Sequence, residues 1–397
     1  MKNKLALTAI SFLANFIMAG FASQFGMLIE PIANSYNADI NAVASVFSLL
    51  NGGALAGTVA AFFLIERIGV KRMTCISYSI VFLCALAMHW IGGIWVVMVA
   101  MTLVGFCGGI GLCIAGTIVV AVWHDKIQST MLVVQDATFN VAGVVFPLVT
   151  TYALTHNMSW SYSYLTVGIV ALATLGIVAM TNFSRCEPEK VSGQTEAVKS
   201  EWNFGIISGG IGLFLGMLAL YTFLTWAPLF VKQKFGIPFE VAGSIITQYW
   251  AAALVGALVG ALVSTVIVSR VKIHYFLMGV IMLAFIITTC IVTTNNLNHL
   301  DYLAYGYGFV CAALYNSFIA YGVSFVKHAS SRNVSYILIS GSAGAMFSPA
   351  ISALLEKTLG IQTIMYAIPI LYFVIMLMLV AVLKTFNRNS HKESCVL

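Results

Sequence analysis

Apolar residues run through this chain in twelve long blocks separated by short polar connections. The blocks cover residues 5–32, 42–65, 74–91, 94–122, 130–154 and 162–180, and then 205–231, 241–268, 275–292, 303–325, 334–355 and 361–383. A helix needs about 20 apolar residues to cross about 30 Å of hydrocarbon, since each residue advances it about 1.5 Å. Each block is therefore read as a transmembrane helix, and the chain as an all-α membrane protein. Gly92-Gly93 leaves only a tight turn between the third and fourth blocks.

Charge placement supports this reading. The 19 Lys and Arg residues all fall in connections or tails, where water spares them the cost of burial in lipid. Twelve crossings put both ends of the chain on one side. With the basic residues sorted by side, 16 lie with the chain ends and three (Lys232, Lys234 and Lys357) lie opposite. The positive-inside bias predicts that both ends are cytoplasmic, in an inner-membrane, multi-pass protein. The net charge of +6 is that bias. It is not a nucleic-acid footprint, because no basic patch interleaves with aromatics. Composition agrees with a lipid solvent: 60% hydrophobic, 8% charged, mean hydropathy +0.98. A soluble chain of 397 residues has too few polar groups at that composition to cover its surface. The first block is too long for a signal peptide and lacks a small-residue cleavage site, so it is expected to be retained.

Several function classes drop out. The eight cysteines show no CxxC spacing and no Cys/His cluster, so no metal, disulfide or other cofactor is expected. Walker, GxSxG and HExxH motifs are absent. A polytopic membrane enzyme is the rival class, but its only mixed cluster would be the short loop His124-Asp125-Lys126. The chain is expected not to be an enzyme. A channel is disfavoured by the internal repeat described next, and nothing signals oligomerisation, so a monomer is expected.

The chain repeats itself. Gly53-Ala54-Leu55-Ala56-Gly57 in the second block returns as Gly256-Ala257-Leu258-Val259-Gly260 in the eighth. Ala142-Gly143-Val144-Val145-Phe146-Pro147 in the fifth returns as Ala343-Gly344-Ala345-Met346-Phe347-Ser348-Pro349 in the eleventh. Matching helices in two halves indicate a parallel repeat about an axis along the membrane normal. The only long polar stretch separates the halves. The expected organisation is a six-helix bundle over 1–183, a cytoplasmic linker over 184–203, a second six-helix bundle over 204–384 and a cytoplasmic tail over 385–397. The paired glycines form small-xxx-small faces that let helix backbones approach closely.

The loop Phe62-Phe63-Leu64-Ile65-Glu66-Arg67-Ile68-Gly69-Val70-Lys71-Arg72 resembles the cytoplasmic signature loop of the major facilitator superfamily. Arg67, Gly69 and Lys71 match it, and Glu66 stands where Asp is usual. The second copy, Ser269-Arg270-Val271-Lys272, has no carboxylate. A closer resemblance, to TsgA-type proteins grouped near the fucose–galactose–glucose proton symporters, is carried by residues 26–52, 136–147, 226–250 and 340–349. The resemblance implies the major facilitator fold, two bundles related by a pseudo-two-fold axis, and secondary transport by alternating access. It also implies a gating role for Glu66, Arg67, Gly69 and Lys71. The acidic residues of the fucose-symporter branch have no counterparts here: Met27 and residues 112–114 occupy their places.

Of the 13 carboxylates, Asp136 alone stands well inside a block. An intramembrane carboxylate needs a reason for its burial, and binding and releasing a proton is one. Asp136, Asn140, Gly143 and Pro147 share one helix face, so Asn140 is expected to hydrogen-bond the acid. The rival reading is a structural hydrogen-bonding residue. Glu30, before Pro31, is expected to be interfacial and solvated.

In the family fold the first, fourth, seventh and tenth helices line the central cavity. There the cargo-contact candidates are Asn15, Gln24, Tyr221, Thr225, Trp226, Tyr315 and Asn316, with Gln248 at the start of the eighth helix. Aromatics with one polar edge suit small polar ligands. No Lys or Arg lies in a block to balance an anion, so the cargo is expected to be a small neutral or cationic molecule. The expected partners are that molecule, protons and membrane lipid. Symport is the first reading and proton-coupled efflux antiport the second.

Overall fold

The computed structural model describes residues 2–184, 186, 202–270, 273–326 and 331–394; almost all are helical, and no strand occurs among them. The first half holds α1 (Lys2–Ser23), α2 (Phe25–Tyr36), α3 (Ile40–Ile68), α4 (Val70–Trp90), α5 (Ile94–Val122), α6 (Asp125–Thr155) and α7 (Ser161–Met180). The second holds α8 (Phe204–Phe235), α9 (Phe239–Ala242), α10 (Ser244–Arg270), α11 (Ile273–Thr293), α12 (Leu297–Cys311), α13 (Leu314–Val323) and α14 (Ser331–Ser394). Most of the expected linker, residues 185 and 187–201, lies outside the described residues, as do 271–272 of the second signature-loop copy.

Among the described residues, eleven stretches are long and apolar enough to cross a membrane. The last, Arg332–Lys384, has 53 residues. A straight helix of that length would run about 80 Å, more than twice the hydrocarbon thickness. It turns instead at Gly360, with φ 77° and ψ 161°, a conformation open mainly to glycine. The arm before Gly360 packs on α3 and α8, through Ala345 and Ser348. The arm after it packs on α11 and α12, through Phe373 and Tyr372. Two arms make twelve traverses, and an even number returns the chain to the end where it began. That end is called the near end below, and the opposite one the far end. Helix continues through the expected tail to Ser394; residues 395–397 lie outside the described residues.

Three blocks expected to be continuous are broken, at Gln24, at Gly243 and at Ala312-Ala313. At the first break the Gln24 side-chain amide donates to the Gly20 carbonyl, 2.7 Å away and one turn back. The apolar pattern continues across each break, so hydropathy alone does not reveal it.

The halves share one packing scheme. α1 packs on α6 as α8 packs on the first arm of α14; α3 packs on α5 as α10 packs on α12; α4 packs on α7 as α11 packs on the second arm. Glycines set the closest pair. A Cβ at Gly53 would collide with the Thr102 carbonyl, and one at Gly57 with the Phe106 carbonyl. Gly256 repeats this against Phe309, whose carbonyl oxygen would lie 2.6 Å from its Cβ. The expectation fails at Gly260, where no atom of the described residues comes within 4 Å of such a Cβ.

Candidate functional site

The two halves meet through α2 with α8 and α9, α3 with α14, and α6 with α9 and α10. These contacts run from the middle of the bundle to the far end. Asn51 Nδ2 donates to the Ala345 carbonyl at 3.1 Å, and the Ala350 amide donates to Ser48 Oγ at 2.9 Å. The Phe47 and Tyr221 rings are 5.7 Å apart, and Phe139 and Trp250 5.8 Å. A Cβ at Gly26 would collide with the Leu224 carbonyl, and one at Gly243 would lie 2.9 Å from the Met27 methyl. Among the described residues α1 and α5 form no close pairing with the second half. The bundle is therefore closed at the far end and cleft toward the near end.

Asp136 is in that cleft. It stands on α6 and is exposed. Seven residues along the same face, Gly143 abuts the Trp250 ring of the other half. Asp136 thus faces the opposite bundle, about 10 Å nearer the open end than that contact. The Tyr315 hydroxyl on α13 lies within electrostatic reach of it. Asn140, one turn on, is half-buried, but among the described residues no hydrogen bond joins it to Asp136. Asn316 is exposed beside Tyr315, and Tyr221 is half-buried against Phe47 and within reach of Tyr315.

The neighbouring residue sets this orientation. Gln135 is 8% exposed, and Asn15 Nδ2 donates to its carbonyl at 2.8 Å. Ser11 Oγ lies 3.1 Å from Gln135 Oε1 and 2.8 Å from the Ala115 carbonyl. With Gln135 pinned to α1, the helical step of about 100° turns Asp136 toward the cleft. Gln135 was not among the residues singled out from the sequence. Its signal was a second polar side chain beside Asp136 in an apolar run.

The other cargo-contact candidates sit in helix packing. Asn15 is buried on Gln135. Gln24 is fully buried, accepting from Thr150 and donating to the Gly20 carbonyl. Thr225 is fully buried and donates to the Tyr221 carbonyl at 2.7 Å. Trp226 is fully buried, with Nε1 donating to Ser352 Oγ at 2.8 Å. Gln248 Nε2 donates to Asp301 Oδ1 at 2.9 Å. The structure brings Asp136, Tyr221 and Tyr315 toward one cleft, with Asn140 one turn from the acid and Asn316 next to Tyr315, and leaves the other five in helix packing.

The signature loop lies at the near end of α3. Glu66 and Arg67 are exposed. Gly69 ends α3 with φ 88° and ψ 151°, a backbone state that favours glycine. Lys71 Nζ donates to the Thr181 carbonyl at 2.9 Å, placing a cation at the C-terminal end of α7. Glu30 departs from expectation. Its side chain is 17% exposed and is ion-paired to Lys232, because α8 carries that ammonium against α2 at the far rim.

Residues 10–331 match the Major Facilitator Superfamily. Over 387 residues the chain is 22% identical to a protein TsgA homolog of Buchnera aphidicola subsp. Acyrthosiphon pisum (strain Tuc7), covering 98% of each. It is 24% identical to one from Edwardsiella ictaluri over 383 residues, covering 95% of each. Among solved structures, a mutant of the nucleoside transporter NupG superposes with a TM-score of 0.75 at 13% identity, over 96% of this chain and 99% of that one. The repeated bundles, the far-end closure and this match agree: the chain belongs to the major facilitator superfamily, as a multi-pass secondary transporter of a small molecule and not an enzyme.

Proposed function

We propose that this transporter moves a small neutral or cationic polar solute inward by proton-coupled symport. Asp136 binds the coupling proton, and Tyr221, Tyr315 and Asn316 contact the cargo, with Asn140 beside the acid. The observation that carries this reading is the exposure of Asp136 in a cleft between halves whose apolar blocks hold no Lys or Arg. A carboxylate there has no fixed cation to balance it, so a proton or a cationic cargo must do so. Segments 1–183 and 204–384 are the moving bundles, joined by 184–203, and Glu66, Arg67, Gly69 and Lys71 belong to the gate between them. The bias of basic residues puts the near end, with both chain ends, in the cytoplasm of an inner-membrane protein that works as a monomer.

The test begins with a thermal-shift screen of sugars, nucleosides, amino acids and amines. Nucleosides are a natural early choice, because NupG is a nucleoside transporter and a base can stack on tyrosine. Cargo that binds is then followed into proteoliposomes under an imposed pH gradient. Accumulation with an alkaline lumen supports symport. Accumulation only with an acidic lumen supports the second reading, efflux antiport, which the access of Asp136 to the cargo cleft favours. Accumulation indifferent to the gradient removes proton coupling altogether.

A further inference from the structure

We infer that Glu30 and Lys232 form a latch that holds the far end shut and must part once in every transport cycle. They are positioning residues for the conformational step and touch no cargo. Glu30 lies on α2 and Lys232 in the last turn of α8, so the pair ties one half to the other. It is the one ion pair among the described residues.

Its surroundings separate it from an ordinary surface pair. The side chains are 17% and 37% exposed, and Glu30 Oε2 is buried with no hydrogen-bond partner in the structure. Lysine near a helix C-terminus is favoured by the helix dipole, so α8 holds the ammonium in place. The seam beneath is tight: Gly26 abuts the Leu224 carbonyl, and Gly243 abuts the Met27 side chain. A partly desolvated pair attracts more strongly than one in bulk water, and removing one member leaves the other charge poorly solvated. When α2 and α8 separate, water enters and both ions hydrate. The attraction therefore belongs to the far-closed state alone. A contact present in one of two states shifts their populations by its own free energy.

Two far-end sites away from the pair report the state: His156 at the end of α6 and Thr358 near the end of the first arm of α14, both exposed. Spin labels on His156→Cys and Thr358→Cys, in full-length protein with its native cysteines replaced and reconstituted in lipid nanodiscs, give their separation by pulsed electron resonance. Glu30→Gln is expected to raise the far-open, long-distance population about 3- to 10-fold. Lys232→Gln should do the same from the other side. The swap Glu30→Lys with Lys232→Glu should return the distribution toward wild type. If both single variants keep the wild-type distances, or if the swap fails to restore them, the latch is refuted and the pair is surface decoration. A fall in melting temperature without a change in distances refutes it too. The measurement uses neither cargo nor a proton gradient, so it stands or falls apart from the symport reading.

Discussion

The far seam and the near cleft share α6 and α8, yet they differ in what crosses between the halves. Toward the far end, glycine brings α2 against the Leu224 carbonyl, the Ala350 amide bonds to Ser48, and an ion pair closes the rim. About 10 Å beyond the Gly143–Trp250 contact, the same α6 presents Asp136 to open space facing Tyr315. One region joins the halves through polar groups of both, and the other leaves a carboxylate exposed between them. Alternating access requires the two conditions to exchange. The seam must therefore rest on contacts that can be unmade: glycine surfaces, single hydrogen bonds and one ion pair.

The strongest way to break the comparison is at the seam. Gly26→Val places carbon atoms where the Leu224 carbonyl stands. Overpacking of this kind costs about 1–3 kcal/mol, and it acts only on the far-closed state. Transport turnover should fall about 10- to 100-fold, with the spin-label separation shifted to the long distance. Loss of turnover at unchanged distances would show that the seam does not set the state.

The next effect lies in the cleft. Asp136→Asn should abolish cargo accumulation driven by a pH gradient while leaving exchange of cargo across the membrane. Gradient-driven uptake that survives this change would remove Asp136 from coupling. Tyr315→Ala should raise KM about tenfold, the loss of about 1.4 kcal/mol of aromatic contact, with little change in melting temperature. Trp226→Phe should do the reverse. It removes the bond to Ser352 and costs about 1 kcal/mol of stability with KM unchanged. If KM moved with Trp226 and not with Tyr315, the division between cleft and packing would be wrong. The smallest effect separates the repeated glycines. Gly57→Ala should destabilise the first half by about 1–3 kcal/mol, whereas Gly260→Ala, with open space around it, should stay within about 0.5 kcal/mol. Thermal melting of the two variants measures this.

Much of the architecture was legible without coordinates, because lipid imposes a coarse rule. Charges must leave the hydrocarbon and apolar runs must be long enough to cross it, so the twelve blocks and the sorted basic residues followed from composition along the chain. The glycine repeat pointed to matched helices, and α3 on α5 and α10 on α12 are such a pair. Asp136 stood out for the same reason, as the one carboxylate deep in an apolar block.

Which way a polar side chain turns within a bundle is a different question. Gln24, Thr225 and Trp226 looked like cavity residues because they were polar in the right helices. Gln24 and Trp226 instead bond to neighbouring helices, and buried Thr225 turns its hydroxyl back onto the Tyr221 carbonyl of its own helix. Glu30 looked solvated because it ended a block, but α8 delivers Lys232 to it from 202 residues away. The sequence alone determined solvent, crossings and repeat, since these depend on hydropathy summed over many residues. Tertiary structure decided which carboxylate is free and which is paired. That choice turns on single hydrogen bonds between distant helices, such as Asn15 holding Gln135, which leave no periodic trace along the chain.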